Sequence, residues 1–241
     1  MPSTHSLPPA LPALVDSHAA DEPDAVRFRP RTWETTLADV EPPVRAVLRD
    51  DAITGPSVRV SGDRVVDRDA VLKVATSNDL DDDRALLRAF LLVQVWGSGT
   101  SGGRTLRHTA TAFAHREQLV AALRTSAERL RAADDTTALA DAYAGWSCPG
   151  VGPSFFTKWF TFAGRREGRA WQPLILDQRV YRSLNGSLDV RLVDLAGQPA
   201  RSARYRAYVE AVHAWSAELA VAADRLEWVL FVDNGRGAAA S

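Results

Sequence analysis

Hydrophobic residues recur along this chain mostly at helical spacing, and the pattern predicts a mainly α fold. The longest apolar run is ALLRAFLLVQVW at residues 85–96. A helix that is apolar nearly all round is typical of the centre of a domain. Acidic and amide side chains at residues 78–83 precede it and would cap its start, because acids suit the positive end of a helix dipole. A glycine-rich stretch, residues 97–103, ends the run.

The same spacing predicts further helices, and strand signals are few. A helix broken by Pro42 and Pro43 is expected within residues 36–49. Residues 57–66 alternate around a Gly-Asp turn and predict a small hairpin near the N-terminus. The other predicted helices cover residues 67–75, 111–114, 117–132, 135–144, 153–162, 173–184, 205–223 and 224–231.

The composition divides the chain into a leader and a folded domain. Residues 1–26 are rich in Pro, Ala, Ser and Asp and predict a disordered leader. Residues 27–241 are expected to form one helical domain, of one or two lobes, with a helix-hairpin-helix at about residues 146–164. The length of 241 residues and the 46% hydrophobic content suffice for a sizeable core.

Composition also narrows the function classes. Cys148 is the single cysteine, which excludes a disulfide framework and a cysteine-based zinc site. The five histidines show no metal-ligand spacing, so neither a metal nor another cofactor is expected. No apolar run reaches the ~20 residues that span a bilayer, and the start of the chain does not resemble a secretion signal. These features predict a soluble, cytoplasmic, bacterial-type monomer that does not bind membranes.

Lysine is rare in this chain, which makes its positions informative. Lys73 and Lys158 are the only lysines among the 29 basic residues. Arginine stays protonated in proteins, whereas lysine can lose a proton and become an amine nucleophile. Lys158 ends the stretch CPGVGPSFFTK, residues 148–158. It is therefore a candidate for chemistry that arginine could not perform.

The glycines before Lys158 predict a tight hairpin between two helices. Gly150 and Gly152 let the backbone turn without a Cβ in the way. The helix that follows presents free N–H groups, which can hold a phosphate oxygen directly or through a cation. Such a contact would not read base sequence. The alternative is a purely structural loop between antiparallel helices.

Two segments together resemble the helix-hairpin-helix superfamily of DNA glycosylases, most closely its 8-oxoguanine branch. They are WSCPGVGPSFFTKWFTFAG, residues 146–164, and PLILDQRVYRSL, residues 173–184. The family hairpin reads LPGVG, with a catalytic lysine in the next helix and an aspartate at the start of another. The resemblance implies that Lys158 is the nucleophile and that Asp177 stabilises positive charge on the sugar. Asp177 would also serve as a helix N-cap, and both roles can hold together.

The resemblance extends to DNA contacts and to a base pocket. It implies that Gly150, Val151, Gly152 and Ser154 contact duplex DNA carrying a damaged or modified base. Such a base must be flipped out of the helix before its sugar can be attacked. Side chains of three further residues would line the pocket that receives it: Gln94, Trp96 and Trp146.

The position of the lysine leaves two classes of function open. Family members carry it two residues after the second glycine, where this chain has Ser154. Lys158 lies one helical turn further on and can project from the same face. The first hypothesis is a glycosylase that removes a purine such as 8-oxoguanine, with AP-lyase activity through a lysine Schiff base. The second is a non-catalytic nucleic-acid-binding module. A variant of the first is a phage-defence protein acting on a modified nucleotide.

Overall fold

The computed structural model describes residues 5–77, 79–98 and 103–236 and confirms the predicted mainly α fold. The described residues form thirteen α-helices and one three-stranded antiparallel sheet. The helices are α1 Leu11–Ser17, α2 Pro30–Thr36, α3 Pro42–Arg45, α4 Arg68–Thr76, α5 Asp83–Ser98, α6 Gly103–Ala114, α7 Arg116–Ala132, α8 Thr137–Gly145, α9 Pro153–Ala163, α10 Gln178–Arg182, α11 Leu192–Ala196, α12 Arg201–Glu218 and α13 Ala223–Asp233. The strands are β1 Val26–Phe28, β2 Gly55–Pro56 and β3 Arg64–Val66.

Helix α5 is the central element, as its apolar sequence predicts. Leu91, Leu92 and Val93 are fully buried, and consecutive residues about 100° apart point to different sides of the helix. It packs against α3, α4, α7 and α9, so these helices surround one apolar helix. The backbone N–H of Arg84 donates to the carboxylate of Asp82 at 2.8 Å, which caps the first turn. Asn78, which was expected to help cap this helix, and residues 99–102 of the glycine-rich stretch lie outside the described residues.

The predicted hairpin is present and gains a third strand. Strands β2 and β3 pair antiparallel, and β1 pairs with the other edge of β3. The buried carboxylate of Asp63 accepts hydrogen bonds from Arg27 and Arg29 at 2.8 Å each. These bonds tie β1 to the turn of the hairpin. The position predicted for the first strand is wrong, because residues 57–60 form no strand and β2 lies just before them.

Residues 173–184 depart from the predicted helix. Leu174, Ile175 and Leu176 are buried in backbone that is neither helix nor strand, and α10 begins only after Asp177. A short apolar run carries no reliable period, so spacing cannot distinguish a helix from a buried extended segment. The backbone N–H of Leu176 donates to Thr157 Oγ1 at 3.2 Å, and that of Ile175 donates to Glu227 Oε2 at 2.6 Å. Side chains from α9 and α13 thus satisfy the backbone N–H groups of this non-helical segment.

The expectation of a disordered leader is corrected for residues 5–26. Helix α1 lies in this segment, and Leu11 and Leu14 are fully buried where α1 packs against α13. The Trp215 indole N–H donates to the carbonyl of Ser6 at 3.0 Å. Two leucines one helical turn apart are enough to anchor a segment whose composition is otherwise typical of disorder. None of the helices in the described ranges is long and apolar enough to cross a membrane.

Leu14→Ala tests whether α1 is part of the folded core. We expect the free energy of unfolding to fall by about 2–5 kcal/mol, because the substitution leaves a cavity at a fully buried position. Val58→Ala is the control, since Val58 is 100% exposed and should change stability by less than ~0.5 kcal/mol. Urea denaturation followed by circular dichroism measures both. Equal, small effects of the two substitutions would mean that the segment is not packed.

Candidate active site

The hairpin before Lys158 is fixed by close packing at its first glycine. Gly150 has φ +82°, and a Cβ built there would lie 2.4 Å from the carbonyl oxygen of His108 in α6. Only glycine fits such an approach. Val151 is buried beside it, whereas a Cβ on Gly152 would meet no atom within 4 Å. Gly150 and Val151 therefore pack the hairpin against the rest of the domain, whereas Gly152 has open space around it.

Lys158 is buried on α9, and its ammonium group has two protein acceptors. The residue is 5% exposed. Its Nζ donates to the backbone carbonyl of Ser154 at 2.9 Å and to Asp177 Oδ2 at 3.2 Å. Nζ also lies 5.4 Å from the ring centroid of Phe155. The lysine that is displaced by one turn from the family position thus lies beside the aspartate that the sequence paired with it.

The two carboxylate oxygens of Asp177 have different hydrogen-bond partners. Oδ1 accepts the backbone N–H groups of Arg179 at 2.9 Å and Val180 at 3.2 Å, which makes Asp177 the N-cap of α10. Oδ2 faces Lys158. The cap fixes the carboxylate in place, because rotating Oδ2 away from the ammonium would break both backbone bonds. The structural and chemical interpretations of Asp177 are therefore compatible, as the sequence indicates.

Lys158 and Asp177 line one cavity, which we call the Lys158 cavity. Its cavity volume is about 120 Å³. Apolar and aromatic side chains form most of its wall, including Trp96, Ile175, Trp228 and Phe231. Gly97 gives the lysine stem its space, since a Cβ there would lie 2.7 Å from Lys158 Cδ. The arrangement is a buried amine and a carboxylate facing an aromatic pocket.

A second ion pair lines the same cavity. Arg68 of α4 donates from Nη1 to Glu227 Oε1 of α13 at 3.1 Å. Burial raises the pKa of the Glu227 carboxyl, and Arg68 only partly opposes this effect. Arg68 Nη2 is buried without a hydrogen-bond acceptor among the described residues, and the guanidinium lies 5.9 Å from the Trp96 ring centroid. Sequence reasoning missed this pair because its members are 159 residues apart with no shared motif.

The structure separates the three residues predicted for the base pocket. Trp96 lines the Lys158 cavity. Gln94 is buried but does not line it, because two residues along a helix correspond to a rotation of about 200°. Trp146 stacks on Phe156, with centroids 5.3 Å apart, and lines a different depression beside α7. The placement of Gln94 and Trp146 in the pocket is therefore corrected.

Comparison with protein-family models identifies the family. The model described as "Putative 8-oxoguanine DNA glycosylase OGG-like protein" matches residues 21–231. The match covers most of the chain and includes every residue that lines the Lys158 cavity. The chain therefore belongs to this OGG-like family. Comparisons with curated proteins and with solved structures gave no significant match.

The coupling between Lys158 and Asp177 can be measured as stability. We expect Asp177→Ala to lower the free energy of unfolding by about 3–5 kcal/mol, because it leaves a buried ammonium without its partner. In a Lys158→Met background the same substitution should cost only the helix cap, about 1 kcal/mol. Denaturant unfolding of the four proteins gives the coupling energy.

Asp177→Asn is the matched control, since its side-chain oxygen can still cap α10. It should be less destabilising than Asp177→Ala in the wild-type background. An Asp177→Ala cost that is the same with and without Lys158 would contradict a coupled pair.

Proposed function

We propose that this protein is a DNA glycosylase that excises an oxidised purine such as 8-oxoguanine and then nicks the strand through a lysine Schiff base. One observation carries the proposal: a buried Lys158–Asp177 pair faces an aromatic cavity beside a helix-hairpin-helix. Membership of the OGG-like family supports the class of reaction. The proposal goes further than that membership in naming the base, the lyase step and the residues.

The cavity has the properties that an extruded base requires. Trp96, Trp228 and Phe231 offer apolar surface against which a purine can pack. Arg68 Nη2 is a buried donor without a protein acceptor in the described ranges, and such a group is costly to leave unsatisfied. A ring nitrogen or keto oxygen of the base would supply the missing acceptor. The polar end of the cavity then selects a base, while the Lys158 end acts on its sugar.

Lys158 and Asp177 would carry the chemical step. Asp177 Oδ2 takes a proton from the ammonium, and the free amine attacks C1′ of the extruded nucleotide. The bond between C1′ and the base breaks, and its electron pair leaves with the base. Asp177 passes its proton to the departing base, and the regenerated carboxylate stabilises the positive charge that develops on the sugar. Ring opening gives a Schiff base between Lys158 and C1′, and elimination from it cleaves the strand.

The burial of Lys158 favours catalysis over simple DNA binding. A lysine that only neutralises phosphate lies at the surface, where the backbone can reach it. Lys158 is instead 5% exposed, and its stem occupies the space left by Gly97. Ser154, at the usual lysine position, contributes its backbone carbonyl to the amine rather than a side chain. The one-turn shift therefore leaves an amine in a cavity, as the glycosylase hypothesis requires.

Borohydride trapping on duplex DNA with one 8-oxoguanine tests the nucleophile. We expect a covalent adduct with the wild type and none with Lys158→Arg or Lys158→Ala, because guanidinium and methyl groups cannot form a Schiff base. Lys73→Arg is the matched control, since Lys73 is the other lysine and lies on a different helix, α4. It should form as much adduct as the wild type.

Other outcomes of this experiment have distinct meanings. Base release without an adduct would assign the attack to water activated by Asp177. DNA binding without release or adduct, on a panel of modified purines, would favour the binding-module hypothesis. An adduct that persists in Lys158→Ala would contradict the assignment of Lys158.

Gly97→Ala should slow adduct formation without weakening DNA binding. The added Cβ would fall 2.7 Å from Lys158 Cδ and would displace the amine. A displacement of about 1 Å can cost about 100-fold in rate. Single-turnover trapping at saturating DNA measures the rate, and a binding titration measures affinity. Gly103→Ala is the control, since a Cβ there meets no atom within 4 Å. Equal rates for the two variants would refute the packing argument.

A further inference from the structure

A second depression lies beside the Lys158 cavity, and we call it the arginine groove. It is bordered by the start of α9, by α10 and by the start of α12. None of its described lining residues is acidic. The polar side chains that matter here are those of Tyr143, Ser154, Gln178, Tyr181, Arg201 and Arg204.

The two arginines of the groove have no carboxylate partner among the described residues. Arg206, on the same helix, pairs with Glu210 at 2.8 Å, whereas Arg201 and Arg204 form no ion pair with any residue in the described ranges. Arg204 Nε is also buried without an acceptor within those ranges. Buried donors are normally satisfied, so a missing acceptor points to a ligand. Two guanidinium groups without carboxylate partners, one helical turn apart on α12, favour the binding of an anion.

The remaining polar groups of the groove are also donors. Burial raises the pKa of Tyr143 and of Tyr181, and the nearby Arg201 and Arg204 oppose this only in part. Both phenols are therefore neutral at physiological pH and can donate hydrogen bonds. Ser154 and Gln178 add a hydroxyl and an amide at the same edge. Positive charge surrounded by donors is the chemistry that recognises a phosphodiester.

The groove and the Lys158 cavity share a wall. Residues 174–177 form neither helix nor strand, and Asp177 has extended dihedral angles. Ile175 and Asp177 line the Lys158 cavity, while Leu176 and Gln178 line the groove. Ser154 lines the groove, and its carbonyl accepts from Lys158 Nζ at 2.9 Å. The groove therefore begins one helical turn from the amine.

We infer that the arginine groove binds a backbone phosphate of the DNA strand whose nucleotide enters the Lys158 cavity, with Arg201 and Arg204 as its charged donors. This inference rests on the proposed function. A phosphate held there would fix the strand beside the cavity without reading sequence. Gly152 is the N-cap of α9 and directly precedes Pro153 and Ser154 of the groove, so a contact at the hairpin and a contact in the groove would lie next to each other along the strand.

Salt-dependent binding to a duplex with one abasic-site analogue tests the groove. We expect Arg201→Gln/Arg204→Gln to bind more weakly and to reduce the slope of log affinity against log salt by about 1 for each phosphate that the protein no longer neutralises. Arg31→Gln/Arg59→Gln is the matched control, because it removes the same charge from two exposed arginines that make no ion pair within the described ranges. Its slope should equal that of the wild type. Arg201→Lys/Arg204→Lys, which keeps the charge, should restore most of the slope.

Borohydride trapping separates failure of the groove from failure of the chemistry. At saturating DNA the Arg31→Gln/Arg59→Gln control should trap a true abasic site at the wild-type rate. The Arg201→Gln/Arg204→Gln variant should trap it more slowly, because the strand is no longer fixed beside the cavity. Suppose that the wild type forms the adduct but the two Gln double variants have the same DNA affinity and the same salt slope. The groove inference is then overturned, and the proposed chemistry stands. If the wild type binds without trapping and only the groove variant has a reduced slope, the chemistry fails and the groove stands. A wild type that binds no DNA overturns both.

Discussion

The burial of one ammonium group beside one carboxylate governs the arrangement of the middle of this chain. A charge removed from water needs a partner at close range, and Lys158 finds it in Asp177 at 3.2 Å. The carboxylate can serve only because it is immobilised as the cap of α10. The residues before the cap lie outside any helix, and Thr157 and Glu227 accept the backbone N–H groups of Leu176 and Ile175. Glu227 is itself buried and depends on Arg68. The two ion pairs thus connect α4, α9, α10 and α13 around one cavity.

The central helix, α5, supplies the apolar packing surface that the two ion pairs do not provide. Because α5 is apolar on all sides, α4 and α9 can pack directly against it. Its last turn presents Trp96 and Gly97 to the cavity, one as an aromatic wall and the other as open space. A side chain at residue 97 would force out the lysine stem. The position of the amine is therefore set by a helix that contributes no polar side chain to the cavity.

Local sequence patterns predicted the parts of the structure that local forces determine. The apolar period identified α5, and proline after a glycine turn identified the start of α9. The approach of Lys158 to Asp177 followed only from the family resemblance, since spacing alone does not place them together. The Arg68–Glu227 pair could not be predicted at all, because long-range packing creates it. The composition of the first 26 residues, typical of disorder, concealed the buried leucines of α1. The apolar run at residues 174–176 has no clear period, so its non-helical backbone could not be predicted.

The non-helical segment that ends at Asp177 also explains how one short stretch can line two different sites. Alternation along residues 175–178 turns Asp177 toward the amine and Gln178 toward the arginine groove. A helix at this point would have placed adjacent residues about 100° apart and could not have divided them between two sides. Departure from the helical pattern is therefore what brings a reactive pair and an anion-binding surface to either side of a single backbone. The hydrogen bonds from Thr157 and Glu227 stabilise that departure, and so they support both sites at once.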